Sequence, residues 1–287
     1  MLNINIFDGM LICTDLDGTL LRKDKTISKE NLEAIEYFKA NGGLFTFVTG
    51  RMHFYVTDIY KTVNPNVPFG CANGGAIFDH RKMEYVWITH IPNSVTELLE
   101  YVEEHMPEIG FLINTPQKMY FCRDNSAMVK FRKVTNLPNN TCDYKKFSEP
   151  ISKIIFADEN EENINRLVEL LAAHPDSEKF DFVRSEHDLY EILPKGYNKG
   201  TIITKLSEIL GVDMNKIIAI GDYDNDVSMI EAASIGIAVS NACEAAKAAA
   251  DYITVSNEEH AIAKIISDLE NGNLVFGLEK GTSKRSR

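Results

Sequence analysis

Apolar residues follow two rhythms along this chain. Near both ends they form short runs, at residues 10–13, 44–48 (broken only by Thr46), 217–220 and 235–239, each ending at a turn or a polar cluster. Runs of that length are too short for an amphipathic helix, and they predict strands buried on both faces, as in a parallel sheet. Between the runs the spacing turns helical. Ser28 caps a predicted helix over 28–40 that Asn41-Gly42-Gly43 ends. Ile202, Ile203, Leu206, Ile209 and Leu210 line one face of another, closed by Gly211. A helix over about 53–61 leads into strand 69–72, and Asn73-Gly74-Gly75 turns the chain back into strand 76–78. A strand at 252–255 and a helix over about 258–269 follow near the end.

From about residue 84 to 190 the pattern changes. Alternating or aromatic-rich strands are expected at 111–113, 119–122, 154–157 and 180–184, with helices over 94–106 and 161–173. The second helix places Ile164, Leu167, Val168 and Leu171 on one face. The fold class expected is therefore α/β: a Rossmann-like parallel-sheet core with helices on both faces, plus an inserted α+β domain with a mainly antiparallel sheet. The core would comprise residues 1–84 and 190–287, the insertion 85–189. No internal repeat or low-complexity segment interrupts this plan.

Composition narrows the function. The chain has 287 residues, 44% hydrophobic and 25% charged, ordinary for a soluble globular protein with room for two cores. Its net charge of −12 argues against a nucleic-acid surface, and requires local positive charge or a metal wherever an anion is to bind. Five cysteines without Cys-x-x-Cys spacing and seven dispersed histidines argue against a disulfide framework or a zinc site. The first residues carry no cationic leader, and no apolar run approaches the roughly 20 residues of a membrane span. The expectation is a cytoplasmic protein with no membrane partner. The final segment, with Lys284, Arg285 and Arg287, reads as a frayed, solvated tail.

The candidate chemistry lies where the buried strands end. The first delivers Asp15 and Asp17, which an extended chain points to the same side, and then Gly18 and Thr19. The second ends at Thr49-Gly50-Arg51, and a third at Gly221-Asp222-Tyr223-Asp224-Asn225-Asp226; Lys199 opens a helix in Gly196-Tyr197-Asn198-Lys199-Gly200. In open parallel sheets, ligands bind beyond the carboxyl ends of strands. Taken together these groups fit phosphoryl transfer. Asp15 would attack a phosphate. A hard dication held by Asp15 and Asp222 would offset the repulsion, and all-oxygen ligands favour Mg²⁺ over the calcium loop, whose spacing is missing. Lys199 would add positive charge, Thr49 a hydrogen bond, and Asp17 would move the proton, which requires its site to favour the neutral form during that step.

In order, Asp15-Leu16-Asp17-Gly18-Thr19, Phe47-Val48-Thr49-Gly50-Arg51, Lys199-Gly200 and Gly221-Asp222 with Asn225-Asp226 resemble the four motifs of the haloacid dehalogenase superfamily. The large insertion between the second and third resembles the type IIB cap of its Cof-like phosphatases. So do Asn73-Gly74-Gly75 and Ser240-Asn241-Ala242. The resemblance implies a Mg²⁺-dependent phosphatase of small phosphorylated metabolites, sugar phosphates foremost, working through an aspartyl-phosphate on Asp15. It makes Asp17 the acid/base and a metal ligand through its backbone carbonyl, and Asp222 the other protein ligand beside Asp15. Gly18, Thr49, Gly50, Arg51, Lys199 and Asn225 would hold the phosphoryl group, with Asn225 and Asp226 ordering metal-bound water or phosphate. The cap would close over the site and select the leaving group. Tyr223 in place of Gly, and Tyr197-Asn198 in place of Val-Ser, depart from the family pattern without removing a catalytic group. Asp17 points to ester hydrolysis; a phosphomannomutase-like phosphomutase is the alternative, and a non-catalytic phosphometabolite-binding protein a more distant one.

Overall fold

The computed structural model describes residues 5–136 and 138–276. These form two compact units. One takes the described residues through Gly50, then Thr57–Val86, then those from Asn198 on; the other takes Arg51–Val56 and Trp87–Tyr197. The first unit opens with β1 (Leu11–Thr14), α1 (Lys29–Ala40), β2 (Leu44–Phe47), α2 (Thr57–Val63), β3 (Phe69–Cys71) and β4 (Ala76–Asp79), and β5 (Glu84–Ile88) leads out of it. The second contributes α3 (Val95–His105), β6 (Gly110–Asn114), β7 (Met119–Arg123), α4 (Ser126–Thr135) and β8 (Asn140–Thr141). It continues with β9 (Lys153–Ala157), α5 (Glu161–Ala173), β10 (Phe180–Glu186) and β11 (Leu189–Pro194). The first unit resumes with α6 (Lys199–Leu210), β12 (Ile217–Gly221), α7 (Val227–Ala232), β13 (Ile235–Ala238), α8 (Glu244–Ala249), β14 (Tyr252–Ile253) and α9 (Ala261–Glu270).

The apolar runs of the first unit become a parallel sheet of order β14-β13-β12-β1-β2. β1, β12 and β13 are buried at every residue, which is why they read as unbroken hydrophobic strings. α1 packs with α9 and α6 with α7, giving the expected α/β architecture. The strand order runs outward from β1 in both directions, so the carboxyl end of β1 is the topological switch point where such sheets open a crevice.

In the second unit the sheet order is β10-β11-β9-β6-β7-β8, antiparallel except for the β7–β8 pair. One face packs on α3 and α5 through Leu98, Val102, Ile164, Leu167 and Phe156; the other packs Ala127 and Met128 of α4 against Leu112, Phe121 and Ile155.

Five of the helices and strands named above were not expected from the sequence, β5 and β8 among them, and one that was expected divides. The helix expected over 53–61 is a 3-10 turn at His53–Tyr55 followed by α2, because Val56 leaves helical geometry at φ −118°, ψ 17°. α4 is crowded with β-branched and basic residues that blur its apolar face, yet Asn125 caps it by accepting from the Met128 amide. β11 carries Glu191, which breaks its apolar run. Inside the unit that charge meets Lys153 at 2.7 Å, with both side chains 3% exposed. α8, six residues rich in alanine, was also unpredicted. β14 is limited to two residues and α9 begins only at Ala261, after a 3-10 turn and a left-handed His260. All five cysteines are free thiols, although Cys122 and Cys142 bring their sulfurs within 2.8 Å. No helix among the described residues is long and apolar enough to cross a membrane. The basic tail lies outside the described residues.

Ser28 accepts the amide of Asn31 at 3.2 Å in a buried setting. Ser28→Ala leaves that donor without its acceptor, so the loss should reach the upper part of the range for caps, about 1–2 kcal/mol. Urea unfolding should show a lower midpoint with an unchanged slope.

Candidate active site

Three neighbouring strands deliver the first unit's candidate groups to one end of its sheet. Asp15 follows β1 directly, Thr49 lies two residues beyond β2, and Asp222 follows β12. The Asp15 amide donates to the Ile220 carbonyl at 2.8 Å, continuing the β1–β12 ladder past the strand itself and fixing Asp15 beside the loop of Asp222. Lys199 is the first residue of α6, placed by Asn198, whose side chain caps the helix in a capping box with Thr201.

Lys199 is 1% exposed, and its Nζ donates to Asp15 Oδ1 at 2.6 Å and to Asp226 Oδ1 at 2.5 Å. A cation at a helix N-terminus opposes the helix dipole, and burial adds a desolvation cost. Burial by itself would lower the pKa of this ammonium; Asp15 and Asp226 together outweigh it and hold it above its ordinary value. Asp226 is itself fixed at its other oxygen, Oδ2, which accepts the Asp222 and Tyr223 amides at 2.9 and 3.1 Å. Resemblance assigned Asp226 to ordering water or phosphate, whereas its contacts here make it the anchor of Lys199.

Asp15, Asp222 and Asp226 bring carboxylate oxygens within 4.8 Å of one another. Burial, in part opposed by Lys199 and reinforced by the neighbouring aspartates, raises Asp15 well above the usual carboxylate range. Burial and Asp226 push Asp222 up to about 7, against the opposing pull of the Thr19 hydroxyl, which donates to its Oδ1 at 2.7 Å. Three carboxylates against one ammonium leave two negative charges unbalanced. A buried set of hard oxygen donors that must otherwise hold protons fits a divalent cation. Asp15 and Asp222 each spend only Oδ1 on the contacts above, so Oδ2 of each remains for an ion or substrate.

Two glycines make this density of charge possible. Gly18 has φ +82°, and a Cβ there would lie 2.3 Å from Asp222 Oδ2. At Gly221 a Cβ would lie 2.4 Å from the Asp226 Cβ. Asn241 ties the Gly18 carbonyl at 2.8 Å and is in turn held by the Asn257 amide at 3.0 Å. The acid/base candidate, Asp17, stands apart from the buried trio: its Oδ1 accepts Lys25 Nζ at 2.7 Å, and its side chain is 28% exposed. Thr49 is buried, its amide donating to Gly70 and its carbonyl accepting from the Asn73 amide. Asn225 donates to Asn73 Oδ1 at 3.0 Å, and a Cβ on Gly50 would approach the same Asn73 side chain, so these motif residues share one polar junction. Arg51 belongs to the second unit, where its guanidinium lies 4.6 Å from the centre of the Tyr55 ring.

Thr19 was visible in the first motif but not singled out as a site residue; its signal was the hydroxyl directly after Gly18, while Asp226, four positions after Asp222, was noted without its link to Lys199. Lys25 carried no signal, being one of several lysines in a polar stretch.

A model of the family described as haloacid dehalogenase-like hydrolase matches residues 12–266. Among curated proteins, the 5-amino-6-(5-phospho-D-ribitylamino)uracil phosphatase YwtE of Bacillus subtilis (strain 168) is 32% identical, over 91% of this chain and 98% of its own. The pyridoxal phosphate phosphatase YbhA of Escherichia coli (strain K12) is 26% identical, over 89% and 97%. Among solved structures, a haloacid dehalogenase-like hydrolase from Bacteroides thetaiotaomicron superposes with a TM-score of 0.79 at 26% identity, covering 91% of this chain and 99% of its own.

The raised Asp222 carboxyl has a consequence for stability. Unfolded, it would titrate near 3.9. Between about pH 4 and 7 the metal-free folded state therefore binds more protons than the unfolded state, so stability falls as pH rises through that window. In a chelator the unfolding midpoint should drop from pH 5 to pH 8, and millimolar Mg²⁺ should abolish the drop, since an ion that binds only the folded state adds stability. A flat profile in chelator would contradict the charge balance described above, and Asp222→Asn should make it shallower, Asp15 being raised as well.

Proposed function

The chain belongs to the haloacid dehalogenase-like hydrolases and is a phosphoric monoester hydrolase; within that class we propose a Mg²⁺-dependent phosphatase of small phosphorylated metabolites, sugar and sugar-alcohol phosphates foremost. The observation that carries this reading is Lys199, buried at the sheet's switch point and bonded to both Asp15 and Asp226, with Asp222 alongside. The names of the relatives support the substrate class: one acts on a phosphorylated ribityl chain, the other on a phosphorylated vitamin. In this reading the first unit carries the chemistry and the second chooses the leaving group.

Asp15 attacks phosphorus while Lys199, held by Asp226, faces the oxygens of the transferring group. The bond from phosphorus to the leaving oxygen breaks as Asp17 gives that oxygen its proton. In the second half Asp17, now a carboxylate, takes a proton from the water that attacks the aspartyl phosphate. Phosphate leaves and both aspartates are restored. Gly18, Thr49, Gly50 and Asn225 would complete the cradle for the phosphoryl group. A divalent ion held by Asp15, Asp222 and the Asp17 backbone carbonyl would supply the positive charge that lets two anions approach.

Asp15→Asn keeps the shape and removes the nucleophile. Phosphate release from a panel of sugar, sugar-alcohol and vitamin phosphates should require Mg²⁺ in the wild type and fall by about a thousandfold or more in the variant. Undiminished turnover by Asp15→Asn would overturn the nucleophile assignment, and conversion of a hexose phosphate to its isomer without free phosphate would favour a mutase.

A further inference from the structure

Lys25 occupies a tight turn in the first unit. The Arg22 amide donates to the Thr26 carbonyl and the Lys25 amide to the Arg22 carbonyl, both at 2.9 Å. Asp24 braces the turn by accepting the Thr26 amide at 3.0 Å and its hydroxyl at 2.6 Å. The Lys23 amide donates to Glu258 at 2.8 Å, pinning the turn to a distant segment of the same unit. Within this frame Lys25 has φ +64°, the left-handed region that Gly, Asn and Asp tolerate and that other side chains enter only at a cost. The turn holds its ammonium 2.7 Å from Asp17 Oδ1.

Stability is a poor explanation for this arrangement. The two side chains are 58% and 28% exposed, and exposed pairs contribute little, while the backbone conformation works against the fold. A strained lysine aimed at the proposed acid/base has a reason in the chemistry. We propose that Lys25 is a positioning residue for Asp17, holding its carboxyl group in the orientation from which it exchanges a proton with the leaving oxygen. This rests on the role given to Asp17 above. As the bond to phosphorus breaks, its electron pair passes to the leaving oxygen, which takes the Asp17 proton and departs as an alcohol. A carboxyl group held within reach of the leaving oxygen speeds the proton transfer without tightening substrate binding.

The benefit scales with how much the leaving oxygen needs a proton. An alkoxide needs one; p-nitrophenolate does not. The test compares kcat/KM of the full-length protein with Mg²⁺ on two substrates, p-nitrophenyl phosphate and the alkyl phosphate that the wild type turns over fastest. Lys25→Asn removes the ammonium but suits the left-handed backbone. Its kcat/KM on the alkyl phosphate should fall about tenfold further than on the aryl phosphate, with a thermal midpoint no lower than wild type. Lys25→Arg should restore most of the loss. An equal fall on both substrates, or none on either, overturns the inference. Asp17→Asn separates the two levels: it should show the same split. If it does and Lys25→Asn does not, only the role of Lys25 fails; if Asp17→Asn shows no split, the acid/base reading itself fails.

Discussion

The buried ammonium of Lys199 is the constraint around which the first unit's active end is arranged. It sits at the positive end of a helix, away from water, in a position no lysine holds without compensation. Two carboxylates supply that compensation, and each requires its own support. Asp226 is fixed by two backbone amides, and Asp15 by a strand ladder that extends one residue past its end. Removing either carboxylate would leave a buried N–H donor of Lys199 without its acceptor. The lysine thus couples β1, α6 and the loop after β12 into one electrostatic unit.

Packing follows from that coupling. Carboxylates this close cannot share the space with ordinary backbone, which is why glycine stands at 18 and 221, where side chains would strike Asp222 and Asp226. Thr19 gives Asp222 a hydroxyl partner that favours its charged form, yet burial and the neighbouring acid still hold its pKa near neutrality. The opening pair of aspartates, two residues apart, therefore divides into unlike environments. Asp15 is sealed with Lys199, while Asp17 is part-exposed and paired with Lys25. The Lys25 ammonium holds the Asp17 carboxyl group from its exposed side.

Much of this was legible beforehand because the first unit's sheet is buried on both faces, and burial writes itself into sequence as unbroken apolar runs ending in polar groups. β1, β2, β12 and β13 were found within a residue or so for that reason. Where a buried position carries charge, the signal fails: β11 was missed because Glu191 interrupts its run, and only the fold shows Lys153 beside it. α4 was missed because its β-branched and basic residues hide the apolar face that packs on the second unit's sheet. At the site, residue types and spacing pointed to Asp15, Asp17, Asp222 and Lys199, but not to which acid anchors the lysine. That depends on a four-residue turn returning Asp226 to the amides of Asp222 and Tyr223, a matter of loop geometry rather than composition.

The charge balance connects the site to the chain's overall acidity. A net charge of −12 repels an anionic substrate at long range, although salt screens that field beyond about 8 Å. At contact the local sum decides. Three carboxylates and one ammonium present a phosphate with an excess of two negative charges, each opposing it by about 4 kcal/mol at close range near a surface. A divalent ion would bring that sum to zero, after which the donors of Lys199 act on the phosphoryl oxygens without net repulsion. Protons on Asp15 and Asp222 could neutralise the site as well, but a protonated Asp15 is no nucleophile. Of the two ways to relieve the same excess charge, only the cation fits the proposed role of Asp15, which needs its carboxylate form.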